Sequence, residues 1–199
     1  MSIFQAWLFR QPPNPPPYVV ENTARTPSRR LATVFGIDWM ATSPAWIAPL
    51  WMAAAGFVVA TLMEADANVV HRLAFGILYA ALILLSIVLH QLGGAAAGAL
   101  AGSPMRKVVF TATLAYNQYD RSREYPGRVH LIRSLTEPAT NLGLGVCMLA
   151  LYRAGYDARP VLFLAILNLF FFVVAMAPLP TMHGRVVLRY AGKRPGTDP

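Results

Sequence analysis

Charged side chains are missing from three long stretches of this sequence. No Asp, Glu, Lys or Arg occurs from Met40 to Met63, from Leu73 to Met105, or from Pro160 to Met182. Each stretch exceeds the ~20 residues that carry a helix across a ~30 Å hydrocarbon layer. Only 13% of the 199 residues are charged and 56% are hydrophobic, which excludes an ordinary soluble domain. Cysteine is almost absent as well. The single Cys147 permits neither an intrachain disulfide nor a cysteine-rich metal cluster, and its apolar neighbours read as those of a small buried hydrophobe. Residues Met1 to Arg10 lack a long apolar core and run into Pro12, Pro13, Pro15, Pro16 and Pro17, so no cleaved signal peptide is expected. No repeat of solenoid length is present.

The apolar stretches predict an all-α membrane protein, a bundle of four transmembrane helices near 43–63, 73–101, 137–153 and 160–178. Thr42-Ser43-Pro44 signals the first helix start, and Thr136-Glu137-Pro138 the third, with Thr136 as N-cap. Basic residues then set direction. Fourteen Lys and Arg fall in the N-terminal arm, the loop after the second helix and the C-terminal tail, against 3 in the other two loops. The positive-inside rule therefore places both termini and the large middle loop in the cytoplasm, in a multi-pass protein of a bacterial inner membrane. The net charge of +8 is explained by this topology, and no nucleic-acid partner is expected.

Within the middle loop, Val108 to Tyr116 is rich in β-branched and aromatic residues, and Arg128-Val129-His130-Leu131-Ile132 alternates in the same way. Tyr125-Pro126-Gly127 marks a turn between them. A small β-hairpin or sheet between helices two and three is predicted. Three regions follow: a Pro-rich and basic arm over 1–30, a membrane domain over 31–188, and a basic tail over 189–199. The Pro-rich tract is suited to an extended spacer or to docking on aromatic surfaces, and Arg25 to Arg30 to anionic headgroups.

Three short stretches lie in this frame: His90-Gln91-Leu92-Gly93-Gly94, Glu137-Pro138-Ala139-Thr140-Asn141, and Pro178-Leu179-Pro180-Thr181-Met182-His183-Gly184-Arg185. Their order, spacing and apolar settings resemble the site-2 protease family of intramembrane zinc metallopeptidases, over roughly Leu31 to Leu188. The family patterns are H-E-x-x-H, G-P-x-x-N and a P-x-D-G-G-R-like run. The resemblance implies a membrane bundle with a short sheet between helices, and Leu31 to Trp46 as the amphipathic entry to the first helix.

The same resemblance implies a zinc site built from two histidines one helical turn apart and a distant aspartate, with the intervening glutamate as general base. Here Gln91 stands at the glutamate, Gly94 at the second histidine and Met182 at the aspartate, so His90 alone remains. An amide is no general base near neutral pH, and a thioether is a poor catalytic zinc ligand. The expectation from these positions is an inactive protease-like protein with no catalytic residue and no zinc or other cofactor. It would act as an accessory, assembly or regulatory subunit beside other integral membrane proteins in the bilayer. His183 and Glu137 are the remaining candidates to rebuild a metal site with His90. A one-residue offset turns a side chain by roughly 100° on a helix, so His183 need not face His90.

Other readings stay open. An active zinc protease with a displaced site is one, and axial ligation of a pigment by His90 in a photosynthetic or respiratory subunit, quinone-associated or not, is another. His90, Gly94, Gly98 and Gly102 form a small-residue stripe suited to close helix packing. Asn141 and Asn168 are candidates for interhelical hydrogen bonds. Trp39, Trp46 and Trp51 are candidates for membrane-interface anchors.

Overall fold

A computed structural model describes residues 27–113, 115–119, 125–156, 158–179 and 182–191. The Pro-rich tract and most of the basic tail lie outside these residues. Two strands, β1 (Ser28–Val34) and β2 (Ile37–Thr42), come first. A single 3-10 turn over Ser43–Trp46 leads into α1 (Ile47–Met63), and α2 (Val69–Leu100) follows. Strands β3 (Met105–Phe110) and β4 (Ala115–Tyr119) precede three further helices, α3 (Gly127–Arg153), α4 (Arg159–Met176) and α5 (His183–Ala191).

The small hairpin or sheet expected from the middle loop is half of a four-stranded sheet whose other two strands precede α1. Its order is β1-β2-β3-β4, with β2 and β3 parallel and the outer pairs antiparallel. Residues Leu31 to Trp46, expected as the amphipathic entry to the first helix, lead into it mostly as strand. Phe35 and Gly36 both take positive φ, which closes the tight β1–β2 turn with the twist a hairpin needs. Arg128 to Ile132, expected as strand, is the first turn and more of α3. Five alternating residues fit a helix face as well as a strand, and the Pro126 N-cap, extended at ψ 152°, starts the helix there. Pro138 lies inside α3 and forfeits one backbone bond.

Three helical segments among the described residues are long and apolar enough to cross a membrane: Ser43–Met63, Val69–Leu100 and Arg159–Met176. Helix α3 is also long but is not in that group; its first half carries Arg128, Arg133, Glu137 and other polar residues. Polar capping fits the turns between them. The Asn68 side chain accepts from the His71 amide at 3.0 Å to start α2, and Pro160 stands in the first turn of α4.

Two cores hold the fold. Met52, Ala60, Tyr79, Ile83 and Phe163 join α1, α2 and α4, with Tyr79 edge-on to Phe163 at 4.8 Å. Ile37, Met105 and Val108 press the sheet against the C-terminal half of α2, around Ala95 and Tyr119. At the far end Glu64 accepts from Tyr79 (2.9 Å) and from Arg159 (2.5 Å), clamping α1, α2 and α4. Cys147, expected to be buried, faces outward on α3.

Candidate metal centre

The second core decides where the site forms. Because Gly98 has no side chain, the Tyr119 ring can lie against α2. A Cβ there would come within 2.7 Å of Tyr119 Cε1 and of the Ser103 carbonyl. The small-residue stripe packs at Gly98 against Tyr119 of β4 and at Gly94 against helix α3. Gly102 has left the helix and takes φ +69° in the turn toward β3. One turn before Gly98, a Cβ on Gly94 would lie within 2.6 Å of Glu137 Cγ and Cδ and would overlap Oε1. The space of a side chain at position 94 is filled by Glu137 reaching across from α3.

His183 arrives from the other side. After α4 the Ala177 amide donates to Val174 O (3.1 Å) and the Met182 amide to Leu179 O (3.1 Å), turning the chain back. Gly184 is buried against the Met176 carbonyl so closely that any side chain would collide with it. Helix α5 therefore begins hard against the end of α4, and its first residue, His183, points inward.

Both imidazoles meet the same carboxylate oxygen. His183 Nε2 lies 3.2 Å and His90 Nε2 3.5 Å from Glu137 Oε2. The two rings stand edge to face with centroids 5.5 Å apart, and one donor atom from each of the three residues lies within 4.8 Å of the others. Glu137 is 3% exposed, so its charge is held away from bulk water. Two of the three donors have a second partner. His90 Nδ1 is 2.8 Å from Asn141 Oδ1, which places the ring proton on Nδ1 and leaves the Nε2 lone pair free. Glu137 Oε1 accepts from the Tyr119 hydroxyl at 2.6 Å. Burial pushes the His183 imidazole toward its neutral form; the Glu137 charge opposes this and His90 reinforces it.

Both carboxylate–imidazole separations suit zinc. Four tetrahedral ligands at about 2.0–2.1 Å from the metal lie about 3.3–3.4 Å from one another, and two of the separations here are 3.2 and 3.5 Å. Two neutral imidazoles and a carboxylate also form an established catalytic donor set, leaving a fourth position for water or substrate.

The remaining residues singled out by sequence are placed as follows. Gln91 is buried and its amide reaches Ala115 O only at 3.5 Å, with Oε1 unpartnered. Met182 stands in the turn before His183, its amide donating to Leu179 O. Asn168 donates to Ser86 Oγ on α2 at 3.1 Å. Trp39 stacks on Phe110 inside the sheet, Trp51 donates to Ala112 O at 2.9 Å, and Trp46 is exposed. Tyr119 carried no sequence signal and was missed.

The sequence matches no family model and no curated protein. The structure superposes on the Site-2 Protease from Methanocaldococcus jannaschii with a TM-score of 0.58, 19% identity, and coverage of 81% of this chain and 70% of that one. The fold is that of a site-2 protease. The expectation that the chain is not an enzyme is corrected here. It rested on three lost motif positions, whereas the fold is shared with a protease and three donor groups converge where that motif is broken.

Proposed function

We propose that this protein is a membrane-embedded zinc peptidase whose metal is held by His90 Nε2, Glu137 Oε2 and His183 Nε2. The observation that carries this reading is the convergence of both Nε2 atoms on one oxygen of a buried carboxylate, in a fold shared with a site-2 protease. When bound, zinc supplies Lewis-acid polarisation of a peptide carbonyl and activation of water near neutral pH.

The protein's own groups do the rest. Asn141 fixes the His90 ring and its tautomer, and Tyr119 fixes the Glu137 carboxylate. Gln91, at the position of the family's general base, can accept or donate a hydrogen bond but cannot take a proton. Burial and the Glu137 charge hold the Tyr119 phenol well above its usual range, so it stays protonated and donates. In this reading α3 completes a fourth crossing through its uncharged half, Pro138 to Tyr152, and the site lies toward the cytoplasmic face. The substrate is a polypeptide segment that enters the bilayer.

Purified protein is expected to hold about one zinc per chain by elemental analysis, and to cleave a model transmembrane peptide in mild detergent. His90→Ala and His183→Ala are each expected to lose both properties while remaining folded. Metal-free protein with full cleavage activity would end the reading.

A further inference from the structure

The Glu137 carboxylate is embedded in a chain of contacts that the donor set does not require. Tyr119 donates to Glu137 Oε1 at 2.6 Å, and its hydroxyl also lies 3.2 Å from the Gly94 carbonyl. The hydroxyl has one proton, and the shorter bond to a charged oxygen takes it. Above the phenol ring sits the buried Arg133 guanidinium, 4.2 Å from the ring centroid. Arg133 in turn donates to Ser103 Oγ at 2.8 Å and meets His130 Nδ1 at 2.8 Å. His130 stacks on Tyr190 of α5 at 4.9 Å, almost parallel. The chain runs from one proposed ligand, Glu137, to the helix that carries another, His183.

Resting on the zinc reading above, we infer that Tyr119 is a positioning residue for the metal. It occupies Glu137 Oε1 so that Oε2 alone faces His90 and His183, and Arg133 holds the phenol in place. Without the hydroxyl, a carboxylate is free to rotate or to offer both oxygens, and the separations that fit three tetrahedral ligands are no longer enforced. The Tyr119 hydroxyl bonds to Glu137, so the effect on the metal passes through Glu137. Such outer partners of metal ligands typically account for ~10–100-fold in affinity.

The test is zinc affinity, measured by competition between metal-stripped full-length protein and a chromogenic zinc chelator, with zinc ion alone as the probe. Tyr119→Phe keeps the ring that packs on Gly98 and removes only the hydroxyl. It is expected to weaken zinc binding by ~10–100-fold, with the metal-free protein still folded. Arg133→Lys keeps the charge but cannot lie flat over the ring while reaching Ser103 and His130, and it is expected to weaken binding in the same direction by a smaller factor. Wild-type affinity in both variants overturns the inference, as does a lowered metal-free melting temperature with unchanged affinity, which would mark a merely structural role. The two readings fail separately. An unmutated chain that binds no zinc removes the metal site itself, whereas zinc binding that needs Glu137 but ignores Tyr119 removes only this inference.

Discussion

Glu137→Gln is expected to strip the protein of stoichiometric zinc while leaving it folded. Glutamine matches glutamate in shape and its carbonyl can still accept from Tyr119, so packing against Gly94 is retained. What disappears is the anionic oxygen toward which both Nε2 atoms point, at 3.2 and 3.5 Å. Losing one of three ligands is expected to exceed the ~10–100-fold that an outer partner costs, so zinc should be lost on dialysis against a mild chelator. Were the cluster only a carboxylate bridging two imidazoles, the same substitution would alter stability modestly and metal content not at all. Full zinc occupancy in Glu137→Gln would exclude Glu137 as a ligand.

A second large effect follows from the reciprocal fit of positions 94 and 137. Gly94→His, which restores the spacing H-x-x-x-H, is expected to lose zinc and stability, because Glu137 already fills the space a Cβ would enter. Overpacking of this kind costs ~1–3 kcal/mol even for small groups. The double substitution Gly94→His with Glu137→Gly vacates that space and supplies a histidine on the same face of α2 as His90. It is expected to regain stability and zinc relative to either single variant, a non-additivity that contacting residues show and independent ones do not. Simple addition of the two single losses would mean that the residues do not exchange roles.

That reciprocity also shows what the sequence could and could not disclose. The uncharged stretches located the apolar helices because hydrocarbon leaves little choice of composition. The sheet was half legible. Val108 and its neighbours read as strand, but the parallel partner β2 is separated from β3 by two membrane helices, and no local pattern reports so distant a pairing. Arg128 to Ile132 was misread because its alternation is too short to tell period 2 from period 3.6.

For the site, His90, Glu137 and His183 could be named from the sequence, but their convergence could not. The turn of His183 depends on Gly184 meeting the Met176 carbonyl, a tertiary contact that a one-residue alignment offset conceals. One signal of the contact is present in the sequence. A lone carboxylate at the edge of an uncharged stretch marks a functional group by default, and Glu137 appears where the family has glycine just as Gly94 appears where it has histidine. A large group gained opposite a large group lost is the mark of a contact.

X-ray absorption at the zinc edge of the unmutated, purified protein tests the rebuilt site most directly. The expected result is a first shell of nitrogen and oxygen only, at about 2.0–2.1 Å, with the outer-shell scattering of two imidazoles. A sulfur scatterer near about 2.3 Å, a single imidazole, or no zinc signal would contradict a centre made by His90, Glu137 and His183.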